Sequence, residues 1–318
     1  MKGVAALLHS GVPWDVEDMR GCTAGEYALQ RGHESVWRLL VDHGAQAVVA
    51  ERGPHLRRED WNRAYLEQPL AYNADNLLDA AGNPVMMPWE GQIMQAHATH
   101  LQGRVLNVGF GIGLIDGLIQ DQGPPASHHI IEAHPDVQKH IEKRGWRDKP
   151  GVQLHFGRWQ DVMGDLESGA FDAVFFDTHD EGVEDLLQWA AEAKRILKPT
   201  GLLSFWNAYQ AHNIFLHAVH CEAVTESLRQ LGFVTKWHRM PVEMPKGTWK
   251  AWKGVQNWYL NTYHLPLCTL VDGDRREGPA GGADCVALAA ADMGTIMRRG
   301  IDECAAQALA EAAAEAPD

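Results

Sequence analysis

The sequence has few cysteines and no paired cysteine motif. Its 318 residues include five cysteines, and no two of them form a Cys-x-x-Cys pair. Neither a disulfide framework nor a zinc site is expected from such scattered thiols, and a reducing cytosol is the expected compartment. The cysteines are Cys22, Cys221, Cys268, Cys285 and Cys304.

Long apolar runs are also missing. No stretch approaches the ~20 apolar residues that a membrane-spanning helix needs. The apolar run at residues 4–8 is too short for the core of a signal peptide. We therefore expect a soluble, cytoplasmic protein that does not contact a membrane.

The chain lacks an excess of basic residues. It has 28 Lys and Arg against 42 Asp and Glu, for a net charge of −14. Nucleic acids and anionic membrane surfaces are bound by clusters of Lys and Arg, so neither is an expected partner. An acidic chain fits a cationic substrate better, although an acidic balance more often reflects solubility alone.

The first 50 residues have the pattern of a short helical repeat. Leu7 and Leu40 lie 33 residues apart, which is the period of ankyrin repeats, and Gly11, Gly32 and Gly44 lie where such helices end. We expect a small ankyrin-like helical unit over residues 1–50. About one and a half repeats cannot bury their own apolar faces. The unit should therefore dock on the rest of the chain, on a partner, or on a second copy, which would make a homodimer.

The rest of the chain divides by its hydrophobic pattern. Residues 51–84 are polar and are predicted to form a helical bridge, with one helix over 59–70. Residues 85–268 alternate strands and helices, which predicts an α/β fold with a doubly wound sheet. Residues 269–318 are predicted to be a linker and an Ala-rich tail. The predicted strands are 104–108, 128–133, 152–156, 171–177, 202–206, 233–239 and 255–263.

A glycine-rich turn follows the first strand of the predicted sheet. Gly109, Gly111 and Gly113 lack a Cβ, so a cofactor can approach the backbone, and the next helix directs its N–H groups at that cofactor. Glu132, at the end of the second strand, suits hydrogen bonds from ribose hydroxyls. The spacing departs from the Gly-x-Gly-x-x-Gly of a pyrophosphate-binding turn. The turn therefore favours S-adenosylmethionine (SAM), with an NAD oxidoreductase as an alternative.

Several motifs occur in order along residues 60–265. They are Val85-Met86-Met87-Pro88-Trp89-Glu90, Arg104 to Gly111, Ile130-Ile131-Glu132-Ala133, Gly157 to Val162, Asp177-Thr178 and Leu197-Lys198-Pro199-Thr200-Gly201. Together they resemble the guanidinoacetate methyltransferase group, and most closely the arginine δ-N-methyltransferases (type IV), which also carry ankyrin-like repeats. The resemblance implies a Rossmann-like, class I SAM-dependent methyltransferase fold.

The resemblance also implies the roles of individual residues. Glu90 and Asp177 match the two carboxylates that grip the substrate guanidino group, and Thr178, Ala208 and Tyr209 match further substrate positions. Two departures border the substrate site, His179 in place of Tyr and Gly91-Gln92 in place of Thr-Pro, and Gln160 replaces a Glu at the adenine. The implied SAM-binding residues are Tyr65, Met86, Met94, Gly109, Phe110, Gly111, Ile112, Gly113, Leu114, Ile115, Glu132, Ala133, His134, Trp159 and Gln160.

The chemistry of a guanidino group explains why two carboxylates are needed. A guanidinium is planar, cationic and protonated below a pKa of ~12, so it is a poor nucleophile. Two carboxylates can bind its N–H groups, and one of them can accept the released proton. We assign the base to Asp177, at the end of a buried strand, and the orienting contact to Glu90.

We therefore expect an enzyme that transfers a methyl group from SAM to the guanidino group of arginine, at the δ nitrogen. Free L-arginine is favoured over a protein arginine. Guanidinoacetate methylation and a non-catalytic ankyrin-type interaction protein remain alternatives. No metal is expected, because the helical pairs His97/His100 and His217/His220 have no convincing third ligand.

Overall fold

The computed structural model describes residues 1–51, 59–73, 76–179, 182–245, 248 and 258–271. No helix within those ranges combines the length and the apolar character needed to cross a lipid bilayer. The α-helices in the described part are α1 (Lys2–His9), α2 (Ala24–Gln30), α3 (Glu34–Glu51), α4 (Glu59–Glu67), α5 (Gly91–Ala98), α6 (Leu114–Asp121), α7 (Pro135–Lys143), α8 (Trp159–Val162), α9 (Val183–Ile196) and α10 (Ile214–Gln230). The strands there are β1 (Ala71–Asn73), β2 (Asn76–Leu78), β3 (Pro84–Met86), β4 (Arg104–Val108), β5 (Ser127–Glu132), β6 (Val152–Phe156), β7 (Phe171–Phe176), β8 (Leu197–Phe205), β9 (Phe233–Pro241) and β10 (Thr262–Leu270).

A seven-stranded sheet forms the centre of the molecule, in the order β6-β5-β4-β7-β8-β10-β9. The first five strands in that order run parallel, and β10 lies antiparallel to both β8 and β9. Helices cover the parallel strands on both faces, so strands such as β7 are apolar along their length. The predicted doubly wound sheet is confirmed.

The last strand differs from the prediction. Residues 255–263 were expected to form it, but β10 begins at Thr262 and pairs with β9 along its whole length. The aromatic residues that suggested an earlier strand, such as Trp258, instead pack in an apolar cluster with Trp89. The strand also extends two residues into the predicted linker at 269–318. Residues 255–257 and 272–318 lie outside the described part of the chain.

In the described part of the predicted helical bridge at 51–84, α3 ends at Glu51 and α4 is a helix. A small antiparallel sheet of β1, β2 and β3 follows α4. Leu77, in the middle of β2, is fully buried in a cluster with Met86, and the Tyr72 hydroxyl donates to the Gly111 carbonyl at 3.1 Å. Contacts with the glycine turn, which lies far along the chain, therefore favour strands here.

The N-terminal helices pack against the apolar face of α10. Trp37 and Val41 of α3 are fully buried against Phe215 and Val219 of α10. The two layers lie so close that a Cβ on Gly25 would meet the Phe215 ring at 2.0 Å. The buried apolar residues of this unit thus pack on the main domain, one of the three dockings that the sequence left open.

Candidate active site

A cleft opens at the carboxyl ends of the parallel strands. It contains about 890 Å³ of empty space, including the part open to solvent. Eleven residues that the sequence assigned to the site line this cleft. They are Tyr65, Met86, Glu90, Gly109, Gly111, Glu132, Ala133, Trp159, Gln160, Asp177 and Thr178.

The glycine turn between β4 and α6 is held against the next strand end. Gly109 has a φ of +93°, and a Cβ there would lie 1.9 Å from the Asp177 carbonyl oxygen. Only glycine combines that conformation with so close an approach. The turn and Asp177 therefore occupy fixed positions relative to each other.

A buried polar network supports the turn from the side of the protein core. The Asn107 amide donates to the Gly109 carbonyl at 2.8 Å and to the Asp116 carboxylate at 2.9 Å. Asp116 in turn contacts His128 Nε2 at 2.9 Å, with both side chains fully buried. Asn107 lies within the Arg104 to Gly111 motif, whereas Asp116 and His128 lie outside the motifs, and only these contacts connect them to the turn.

Glu132 is anchored by backbone N–H groups. One oxygen accepts the Phe110 N–H at 2.9 Å and the other accepts the His134 N–H at 2.6 Å. Burial raises the pKa of Glu132, while the backbone N–H groups of Phe110, His134, Ala133 and Gly111 oppose this shift. The carboxylate therefore has a fixed position at the end of β5.

Helix α4 closes one side of the cleft through His134. The Nε2 atom of His134 contacts the Tyr65 carbonyl at 3.2 Å and the Gln68 carbonyl at 3.1 Å. The Tyr65 ring packs edge-on against His134, with centroids 5.1 Å apart, and lies 4.7 Å from the ring of His179. His134 therefore positions α4 rather than lining the cleft itself.

Two carboxyl groups, those of Glu90 and Asp177, line the same cleft. Glu90 ends a short 3-10 turn at Pro88–Glu90 and accepts the Met87 N–H at 2.7 Å. Burial, and then the charge of Asp177, raise the pKa of Glu90 well above its usual value. Asp177 follows β7, and burial followed by the charge of Asp116 raises its pKa to about 7. A bound cation would relieve this repulsion.

Some predicted site residues do not reach the cleft. Met94 is fully buried in the apolar core, and Ile115 nearly so, because the inward side of their helices faces the sheet. Phe110 is also buried and contributes only its backbone N–H to Glu132. Ala208 and Tyr209 are half-buried beside the core clusters instead of in the cleft wall. The described cleft lining likewise excludes Ile112, Gly113, Leu114 and His134.

Other cleft residues were missed or left undecided. Trp206, directly after β8, lines the cleft together with Glu90 and Asp177. Its position at a strand end is the signal that could have found it. His179, a departure from the family pattern that the sequence places at the border of the substrate site, also lines the cleft.

Comparison with known proteins identifies the family. The sequence profile of guanidinoacetate N-methyltransferase matches residues 55–221, which is more than half of the chain. The chain belongs to the guanidinoacetate N-methyltransferase family. It therefore contains a methyltransferase domain, and S-adenosylmethionine is its methyl donor.

Fungal relatives match over a longer range. The chain is similar to "Protein arginine N-methyltransferase 2" of Cryptococcus neoformans, at 34% identity over 83% of this chain and 81% of that protein. The proteins of the same name in Aspergillus fumigatus and Aspergillus oryzae are 36% and 39% identical over 78% and 75% of this chain. The chain spans only 60% and 58% of the length of those two relatives.

Similarity to solved structures is low. A SAM-dependent methyltransferase from Mesorhizobium loti aligns with a TM-score of 0.41 and 14% identity, over 57% of this chain and 96% of that one.

Proposed function

We propose that this protein transfers a methyl group from SAM to the guanidino group of arginine, at the internal δ nitrogen, with free L-arginine as the substrate. The observation that carries the proposal is the pair of carboxyl groups, Glu90 and Asp177, in the same cleft as Glu132. Two like charges in a buried site are costly unless a cation joins them, and a guanidinium is a cation with N–H groups on two edges.

The cleft residues fit the cofactor. Glu132 offers acceptors to the ribose hydroxyls, while Ile131, Val137 and Trp159 give apolar walls to a base. When bound, SAM supplies an electrophilic methyl group on a cationic sulfonium. Negative charge from Glu90 and Asp177 offsets the repulsion between that sulfonium and the substrate guanidinium.

Glu90 and Asp177 have different roles, the first in orienting the substrate and the second in accepting a proton. The Met87 N–H holds one oxygen of Glu90, so Glu90 is oriented to accept hydrogen bonds from a guanidino edge. Asp177 is half-buried and borders the glycine turn, so its carboxylate accepts the proton that the attacking nitrogen loses. The products are a methylated guanidinium, demethylated cofactor and one proton on Asp177.

A protein arginine is the second candidate substrate. It is favoured by the printed names of the fungal relatives, which are protein arginine N-methyltransferases. Guanidinoacetate is the third, since the matching family profile is named for it.

The test is mass spectrometry of the product. The purified chain is incubated with SAM and, separately, with L-arginine, guanidinoacetate and an arginine-containing protein extract. We expect a singly methylated arginine whose fragments place the methyl on the δ nitrogen. Methylation of a terminal nitrogen would contradict the regiochemistry. Methylation of protein or guanidinoacetate alone would contradict the substrate, and no methylation with SAM bound would contradict the activity.

A further inference from the structure

A half-buried tryptophan lines the same cleft as the two carboxyl groups. Trp206 directly follows β8, and its backbone N–H donates to the Phe176 carbonyl at 2.9 Å. That hydrogen bond holds the Trp206 backbone beside the end of β7, which Asp177 follows. The cleft is therefore lined by two carboxyl groups and one large aromatic side chain.

Other aromatic rings hold Trp206 in place. Tyr263 stacks on it, with centroids 5.5 Å apart and planes at 28°. Trp89, the residue before Glu90, lies 6.3 Å away, and Trp258 lies 6.2 Å away. These three rings support the Trp206 ring, so little rotamer freedom is lost when a ligand packs against it.

The supporting tyrosine is itself fixed by hydrogen bonds. Tyr263 is fully buried, and its hydroxyl oxygen accepts the Asn207 N–H at 2.9 Å and contacts His97 Nε2 at 2.9 Å. His97 is tied in turn to Ser204 of β8 at 2.8 Å. Strand β8, strand β10 and helix α5 therefore all determine where the Trp206 ring lies.

We propose that Trp206 is the residue that selects a planar guanidinium at this site, by stacking on its face while Glu90 and Asp177 bind its edges. The proposal deepens the proposed function and rests on it. A guanidinium is weakly hydrated and flat, so it stacks on an aromatic ring, whereas an ammonium is compact and strongly hydrated. Carboxylates alone attract both cations; an aromatic face between them favours the flat one.

The stacked geometry would also orient the reaction. A ring parallel to the guanidinium plane prevents that plane from rotating between the carboxylates, so one nitrogen keeps its position relative to the methyl donor. Trp206 would then affect both the binding of the substrate and the choice of nitrogen.

The test compares Trp206→Leu with Trp206→Phe and Trp206→Tyr, which keep an aromatic face. With L-arginine and labelled SAM, we expect Trp206→Leu to raise the KM for arginine about 5- to 30-fold, the range of a desolvated cation–π contact. The aromatic variants should recover most of this loss. The SAM dissociation constant, measured by calorimetry, should change less than about twofold. The inhibition constant of L-lysine should change less than the arginine KM.

Trp237→Leu is the matched control. Trp237 of β9 is a buried tryptophan that packs on Phe205, the residue before Trp206, and it faces the core. The Trp237→Leu substitution should lower the melting temperature without changing the arginine KM. An unchanged KM in Trp206→Leu, an equal loss in the Leu and Phe variants, or an equal loss of SAM affinity would each overturn the proposal. If the wild-type chain methylates no guanidino compound, the proposed function itself fails.

Discussion

At the scale of single residues, the site contains two carboxyl groups whose ionisation is unfavourable in the folded protein. Burial and neighbouring charges raise the pKa values of Glu90 and Asp177. Such groups persist where a ligand compensates them, because ionising a buried, unpaired carboxyl is unfavourable. The raised pKa values of the two carboxyl groups therefore fit the proposed binding of a cation and do not indicate a role in stabilising the fold.

Replacing Asp177, the proposed base, should lower the turnover number without weakening SAM binding. In Asp177→Asn, we expect kcat to fall about 10²- to 10⁴-fold, the usual contribution of a general base. The SAM dissociation constant, by calorimetry, should stay within about threefold, because Glu132 and the glycine turn are unchanged. Asp161→Asn, at an exposed carboxylate just beyond the cleft, should be silent. An Asp177→Asn variant that retains turnover would show that another group accepts the proton.

The pH dependence follows from the raised pKa of Asp177. Below about pH 7 its carboxyl is protonated in the free enzyme, so it can neither attract a guanidinium nor accept a proton. The kcat/KM for arginine should therefore rise with pH through about 7, and fall about tenfold per unit on the acid side. A bound guanidinium favours the ionised form, so the kcat midpoint should lie lower. A flat profile from pH 5.5 to 8, with SAM affinity constant, would contradict this assignment.

At the scale of elements, the turn between β4 and α6 connects the proposed cofactor half of the cleft to the proposed substrate half. Gly109 touches the Asp177 backbone, and the Asn107–Asp116–His128 network holds the turn from the core side. Helix α4 is fastened to the same end of the sheet by His134. Strain in the turn should therefore affect both ligands.

Gly109→Ala tests this arrangement. The added Cβ would lie 1.9 Å from the Asp177 carbonyl oxygen at a positive φ, so we expect a destabilisation of at least about 2–3 kcal/mol in urea unfolding and a strong loss of SAM binding. Gly117→Ala is the control. It lies within α6 with nothing within 4 Å of a new Cβ, and it should stabilise the protein by about 0.5–1 kcal/mol. Tolerance of alanine at position 109 would mean that the turn can move away from Asp177.

At the scale of the whole molecule, the N-terminal helices and the catalytic sheet share one interface. The side-chain Oδ1 of Asn213 caps α10 by accepting the Phe215 and Leu216 N–H groups, and its side-chain amide donates to Glu26 of α2 at 2.8 Å. Asn213 lies shortly after Trp206, so this contact links residues 1–50 to the loop that follows β8. An ankyrin relationship and a homodimer through this unit stay predictions.

Phe215→Ala should weaken both parts together. Phe215 is fully buried between Trp14, Trp37 and the backbone of Gly25, so we expect a loss of about 3–5 kcal/mol. Thermal unfolding should remain a single transition if the two parts fold as one unit. Leu7→Ala, at an exposed position, should change stability by less than about 0.5 kcal/mol. Separate melting of an N-terminal fragment would contradict this coupling.

The sequence by itself determined the sheet, the cofactor end of the cleft and the carboxylate pair. Parallel strands bring their carboxyl ends to one edge, so residues after successive strands must meet there. That rule alone brings Gly109, Glu132 and Asp177 together. The family motifs added Glu90, which lies before the sheet and follows no strand of it.

Only the tertiary structure decided which of the neighbouring side chains face the cleft. Met94 and Ile115 match the motifs but point into the core, and Trp206 matches none of them but lines the site. It also decided that His134 fastens α4 and that Asn107, Asp116 and His128 support the turn. Motif spacing fixes positions along the chain, whereas these roles depend on which face of each element packs inward and on contacts between residues far apart in sequence.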